Sequence, residues 1–288
     1  PRQVNMDATY TTLPPQVHER YKSVTVCADV MHVNKIMFFV STSTCLKLGG
    51  IDDIPNKSIA TIVKSMRTTA AIYHSVGFRI RHAVMDGAFE SAEEELQRTV
   101  NVRLNTTSRD EHVGVIERYI RTIKERMRSS INVLPFKRIP AQLVIELAKR
   151  EVFWLNAFPS VDGISTTLSP RTIVTGDTIS YDRHCRFDFG EYVQTHEEHD
   201  NSMAPRTVGA LAMRPTGNIQ GGFYFLRISS GKIINRNNAT KLPMPNDVID
   251  RIDRMARQQG ANVGLVFGDR NGLPTDDDDA LVTLIFFL

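Results

Sequence analysis

The chain is short of cysteine, tryptophan, net charge and long apolar runs, and each shortage except that of tryptophan narrows what it can be. Three cysteines in 288 residues, Cys27, Cys45 and Cys185, with no CxxC spacing, argue against a disulfide framework and point to a reducing compartment. No stretch reaches the roughly 18–20 consecutive apolar residues that a bilayer span needs. The first residues lack the charged start and apolar core of a signal peptide, so the expectation is an intracellular protein with no membrane partner. The N-terminus carries no initiator Met, and the chain is expected to be a piece of something longer. A net charge of +3, from 35 Lys and Arg against 32 Asp and Glu, says little about partners by itself. Against these shortages stands a 41% hydrophobic content, enough for a substantial core and expected to form one large and one small domain.

Charge is informative once it is read locally. Between Arg118 and Arg138 there are seven Lys or Arg and one acid, Glu125, while acids gather at residues 93–95 and 276–279. Residues 1–20, with Pro14 and Pro15, read as a linker. Residues 24–33 and 36–44 read as two strands of a hairpin turning at Asn34-Lys35. Residues 56–75 space Ile59, Ile62, Val63, Met66, Ala70 and Tyr73 as one helix face. Gly77 ends it, residues 78–85 return to strand character, residues 88–98 form a short acidic helix, and residues 100–104 alternate as a brief strand. From residue 113 to 131, Ile116, Ile120, Ile123, Met127 and Ile131 mark a helix's apolar stripe. Glu117, Arg121, Lys124 and Arg128 repeat at the same helical spacing on a neighbouring stripe. A second helix covers residues 140–156, and a Ser/Thr-rich connector follows between Pro159 and Pro170. Beyond residue 178, short strands split by PTGN and SSGK predict a small β-barrel, then a helix at 246–259. Residues 261–288 read as an irregular tail.

Three acids stand out in this layout. Asp29 interrupts the apolar run VTVCADVMHV, Asp86 ends the strand of RIRHAVMDGAFE, and Glu117 opens the basic helix GVIERYIRTIKER. An acid inside an apolar strand is unfavourable unless it is solvated or bound. Carboxylates spread from residue 29 to residue 117 meet only if a fold gathers them. A gathered trio beside a basic row is the arrangement that metal-assisted phosphoryl transfer on nucleic acid requires. Each acid also has a plainer reading. Asp29 could bond locally at a bulge, Asp86-Gly87 could be a strand-ending turn, and Glu117 could favour a helix start or pair with Arg121. Glu111 competes with Glu117 for the third place. The basic stripe could be a solvated face, although Glu117 and Glu125 are the nearest acids available to neutralise it. His184, Cys185, His196 and His199 match no zinc spacing.

The segments ADVMHVNKIMFFVSTS, MDGAFE and GVIERYIRTIKERMRS resemble the catalytic core of retroviral-type integrases, specifically those of copia-type retrotransposon polyproteins. The later text from FGEYVQTHEEHD to GGFYF, with TKLPMPNDVIDRI, is similar to the region that follows that core. The likeness runs from about residue 15 to 258. It implies an α/β fold, an RNase H-like mixed sheet flanked by helices at residues 21–160, then a connector at 161–185. A small SH3-like barrel at 186–245 and a helix at 246–260 would follow.

The resemblance further implies a DDE-type polynucleotidyl transferase. Asp29, Asp86 and Glu117 would be both catalytic residues and ligands of Mg²⁺ or Mn²⁺, two ions in number. Arg121 and Lys124 would hold nucleic acid, and the basic stripe of the helix adds Arg128 to them as a phosphate contact. It implies element-end DNA and target DNA as partners, a homo-oligomer when active, and residence in a virus-like particle and the nucleus. The chain departs from the family in three ways. Only 30 residues separate Asp86 from Glu117, fewer than is usual, which shortens the loop before the helix. Val113-Gly114 stands where the family has Asn-Gly, and the upstream His/Cys zinc module is not in this sequence. A silent remnant that binds nucleic acid and an RNase H-like nuclease are the competing expectations.

Overall fold

Strand β1, Ser23–Val33, is the axis of the fold, and its alternation decides what packs where. Its even residues, Val24, Val26, Ala28 and Val30, are buried in one apolar cluster. Its odd residues, Cys27, Asp29, Met31 and Val33, point to the opposite face. In this computed structural model, residues 10–107, 113–197, 205–269 and 272–275 are described. Within the stretch expected to be a linker, Pro15–Tyr21 forms a short helix, α1. Pro15 takes its first position, where proline's missing N–H goes unused.

From β1 the chain turns through Asn34 and Lys35, both at positive φ (48° and 64°), the backbone that a two-residue hairpin of native twist demands. Strand β2, Ile36–Ser43, pairs back along β1, and β3, Gly49–Ile54, pairs antiparallel to β2. Helix α2, Ile59–His74, is capped by Ser58, whose Oγ accepts from the Thr61 N–H. Its Ile62, Val63, Met66, Ala70 and Tyr73 enter the cluster on the even face of β1. It crosses to β4, Arg79–Asp86, parallel to β1. A 3₁₀ turn at Gly87–Ala92 and helix α3, Glu93–Val100, lead to β5, Arg103–Thr107, parallel to β4. The order β3-β2-β1-β4-β5 is the RNase H-like mixed sheet expected of the sequence.

Two long helices follow: α4, Gly114–Asn132, and α5, Ala141–Ala157. Ile116, Ile123, Met127 and Ile131 of α4 and Val144, Leu147, Ala148 and Val152 of α5 are buried, as their spacing predicts. Short helices α6, Pro170–Thr175, and α7, Tyr181–His184, lie in the stretch expected as a connector. Then come β6, Tyr192–His196, β7, Thr207–Pro215, β8, Phe223–Arg227, β9, Ile233–Arg236, and β10, Ala239–Lys241. They form a separate antiparallel sheet of order β10-β6-β7-β8-β9, with Phe187, Phe223 and Phe225 at its core. Helix α8, Asn246–Gln258, follows as predicted.

The chain divides into two compact units. One holds the mixed sheet and comprises Tyr10–Arg126, Glu151–Thr178 and Leu265–Leu288; the other holds the second sheet and comprises chiefly Met127–Arg150 and Ile179–Gly264. Strand β11, Phe267–Gly268, belongs to the first unit, where it pairs antiparallel with His32 and Val33 of β1. Among the described residues no helix is long and apolar enough to cross a membrane.

Candidate metal and nucleic-acid site

Strand pairing brings the first two acids together. β4 runs beside β1 with Val26 opposite Ala83 and Cys27 opposite Val84. The pairing ends there; continued two residues further, the same register would bring Asp86 level with Asp29 and on the same face. Both residues are half-buried. Asp29 Oδ1 accepts the Val30 N–H at 2.7 Å, which fixes one oxygen. Asp86 precedes the 3₁₀ turn, yet its side chain makes no capping hydrogen bond to it, so turn capping does not account for this acid.

Helix α4 lies over that same odd face, and the two adjacent glycines of β3 show it. Register aligns Gly49 with Thr42 and Cys27, and Gly50 with Ser41 and Ala28. A Cβ on Gly49 would stand 1.8 Å from Tyr119 Oη of α4, whereas one on Gly50 would meet Ser41 Oγ at 2.8 Å and Thr69 of α2 at 3.6 Å. Gly49 thus admits α4 on one face while Gly50 looks to α2 on the other. Asn156 of α5 grips Gly49 as well: its Oδ1 accepts the Gly49 N–H, and its Nδ2 donates to the Gly49 carbonyl, both at 2.8 Å. Burial raises the Tyr119 hydroxyl well above its ordinary pKa, and Tyr119 Oη is buried without a hydrogen-bond partner.

Glu117 stands two residues before Tyr119, on an exposed position of α4. It therefore belongs to the helix that covers the face carrying Asp29. Among the described residues, however, no three His, Cys, Asp or Glu side chains are grouped closely enough to hold a metal ion. The aspartate pair offers hard oxygen donors on adjacent strands, which suits Mg²⁺ or Mn²⁺, and Glu117 is the acid that a complete set would still have to recruit. Glu111 lies outside the described residues.

Of the basic stripe, Arg121 is exposed, while Lys124 and Arg128 are half-buried. Lys124 Nζ lies 3.5 Å from the Gly268 carbonyl and 5.5 Å from the centroid of the Phe267 ring. These β11 contacts are not foreshadowed by the sequence reading; the only trace of them is the short apolar run Leu265-Val266-Phe267. His32, opposite Gly268, is held below its usual pKa by burial, with Lys57 and Lys124 adding to the effect and Asp269 opposing it. Beyond this unit, Arg214 pairs with Glu146 at 2.6 Å and stacks on Tyr224, and Arg236 pairs with Glu197 at 2.7 Å. Both ring nitrogens of His184 lie 2.9 Å from backbone oxygens, those of Ser180 and Asn218. His199 lies outside the described residues.

No protein-family model matches the chain, and no curated protein does. Solved structures do. The catalytic core domain of BIV integrase is similar over 52% of this chain and 92% of its own length, at 19% identity and a TM-score of 0.40. The HTLV-2 integrase catalytic core domain in complex with magnesium, in a trimeric form, is similar over 52% of this chain and 95% of its own, at 15% identity and a TM-score of 0.40. Its dimeric form is similar over 52% and 94%, at 13% identity and the same TM-score.

Proposed function

We propose that the mixed-sheet unit is the catalytic core of a copia-type integrase, a metal-dependent polynucleotidyl transferase from a retrotransposon polyprotein. Element-end DNA and target DNA are its substrates, and the active form is a homo-oligomer. Along the chain the proposed order of parts is core at residues 21–160, connector at 161–185, small barrel at 186–245, helix at 246–260 and tail at 261–288, with the strand Phe267–Gly268 of that tail returning to the core's sheet. The observation that carries the reading is the parallel pairing of β1 with β4 up to Cys27 and Val84, whose register, continued two residues, brings Asp29 level with Asp86. Support also comes from the order and spacing of the three resembling segments. Asp29 and Asp86 hold divalent cations, and Glu117 completes the set from α4. Bound Mg²⁺ or Mn²⁺ supplies activation of the attacking hydroxyl and stabilisation of the leaving oxygen. Asp29, with one oxygen fixed by the Val30 N–H, presents the other, while Arg121, Lys124 and Arg128 neutralise phosphates and hold the DNA in register.

The test is strand joining of a DNA end in Mg²⁺ or Mn²⁺ by the Asp29→Asn and Asp86→Asn proteins. Each should lose activity by about 10²–10³-fold while binding DNA as the parent does. Undiminished joining refutes the assignment. A second reading, a nucleic-acid-binding module without catalysis, draws on one observation, the lack of a three-ligand grouping among the described residues. Salt-sensitive binding with no metal-dependent cleavage or joining in the parent chain would select it.

A further inference from the structure

We infer that residues 265–269 and 272–275 form a cap on the candidate site, holding Lys124 away from nucleic acid until the cap is displaced. The inference rests on the nucleic-acid reading of α4 proposed above. β1 has one edge filled by β2 along Val26–Val33. Its other edge is taken by β4 only as far as Cys27, and by β11 from His32. Asp29 lies in the gap between those two partners, so β11 continues the lane that β4 leaves at Asp86. The cap therefore follows on the same edge of β1, three residues beyond Asp29.

Its hold is local and specific. The Asn34 N–H donates to the Val266 carbonyl at 2.8 Å, and the Val266 N–H returns to Asn34 Oδ1 at 2.7 Å. The segment then folds on itself. Asp269 N–H donates to the Leu273 carbonyl, and Thr275 N–H to the Phe267 carbonyl. Register with Val33 turns Phe267 to the odd face of the sheet, the α4 side, where it is fully buried and lies under Lys124. Gly268 faces the other way, against His32, where a Cβ would meet the Gly272 backbone and His32 Cβ at 3.0 Å. A lysine ammonium engaged by a carbonyl and an aromatic face is one fewer donor for phosphate. β11 pairs through only two residues, short enough to be displaced.

The experiment compares the full chain with Gly268→Val and Asn34→Ala, each alone and with Lys124→Ala. The probe is a short mixed-sequence DNA duplex titrated by fluorescence anisotropy over a series of salt concentrations, and release of the cap is read from the protection factor of the backbone amide at position 34, whichever residue stands there. Both single variants should lower that protection factor and tighten DNA binding severalfold. They should also steepen the log–log salt slope by about 0.9, the increment of one added phosphate contact. Lys124→Ala should weaken binding more in the opened variants than in the parent, erasing their gain. The cap is refuted if affinity is unchanged in an opened variant, or if Lys124→Ala weakens binding equally in every background. It is refuted too if the amide at position 34 stays protected in both variants. Failure of every protein to bind DNA in a salt-dependent way would instead remove the nucleic-acid reading itself.

Discussion

Gly49→Ala tests whether α4 docks where the candidate site needs it. The added methyl would fall 1.8 Å from Tyr119 Oη, 2.5 Å from Cζ and 2.9 Å from Cε1. Contact with each requires more than 3 Å, so the ring end must retreat by over 1 Å or α4 must lift. Gly49 does not have positive φ, so alanine introduces no backbone strain and the penalty is steric. The Tyr119 hydroxyl is buried, and Asn156 holds both polar groups of Gly49 from another helix, so neither side yields freely. Overpacking of this kind costs about 2–3 kcal/mol. For a protein of this size that corresponds to a Tm lower by about 4–12 °C.

The assay is a double-mutant cycle by thermal and urea unfolding with Tyr119→Leu, whose side chain stops short of the ring end. The pair should be more stable than the sum of the single changes by about 1–2 kcal/mol. Tyr119→Phe is the control: its buried hydroxyl makes no hydrogen bond, so its loss should leave the chain at least as stable, with a gain of up to about 1–3 kcal/mol. Metal-dependent activity should fall about 10²-fold in Gly49→Ala, since Glu117 moves with Tyr119 and displacements near 1 Å have that effect. A Gly49→Ala protein as stable as the parent, or additive with Tyr119→Leu, would refute the docking of α4 on this face.

Four further outcomes are expected. In the absence of divalent metal, Asp86→Asn should melt slightly higher than the parent, because it relieves repulsion between adjacent carboxylates; only the parent should gain stability on adding Mn²⁺, which is read by calorimetry. Asn156→Ala, which leaves the Gly49 N–H and carbonyl without this partner, should destabilise by about 1–3 kcal/mol in urea melts. Arg126→Ala removes the 3.1 Å partner of a fully buried Glu151 and should cost a similar ~1–3 kcal/mol, more than most surface arginines. His32 is held below its ordinary value of 6.5 in the folded chain, so the unfolded chain takes up its proton first. Its contribution is complete above pH 6.5 and is lost as the pH falls through the window below it; the protection factor of the Asn34 amide, taken against an unstructured chain at the same pH, should fall on acidification, and less steeply so in His32→Gln.

Much of the fold was legible because periodicity survives wherever a single face is buried. α4 shows this: of its sequence stripe, Ile116, Ile123, Met127 and Ile131 are buried, while Ile120 is half-buried. The turn at Asn34-Lys35 was legible from turn chemistry alone. β3 was not, since Gly49, Gly50, Asp52 and Asp53 are poor strand formers and its place is set by partners. Tertiary contact overrides propensity there: Gly49 exists in a strand because Tyr119 and Asn156 need its bare Cα. β11 was missed for another reason. Two paired residues carry no period, and only the open edge of β1 makes a strand of them.

The same distinction separates the two halves of the candidate site. Asp29 and Asp86 are linked by strand register, a relation that alternation in two apolar runs already constrains, since a slip of one residue would turn either acid to the wrong face. Glu117 is linked to them only through the docking of a helix, and helix docking is governed by contacts remote in sequence, such as Tyr119 on Gly49. A register relation is all-or-none, whereas a docked helix can stand a fraction of a turn away from its working position and move when an ion is bound. The aspartate pair is therefore the permanent part of the site. The glutamate is the adjustable part, and the stretch of α4 from Glu117 to Lys124 is pinned at both ends, by Tyr119 under the sheet and by Phe267 under the lysine. Loosening the second pin while keeping the first should let metal recruit Glu117 more readily. Gly268→Val is accordingly expected to lower the Mn²⁺ concentration needed for half-maximal thermal stabilisation, whereas Gly49→Ala should raise it; equal metal dependence in the two variants would show that α4 does not couple the cap to the acids.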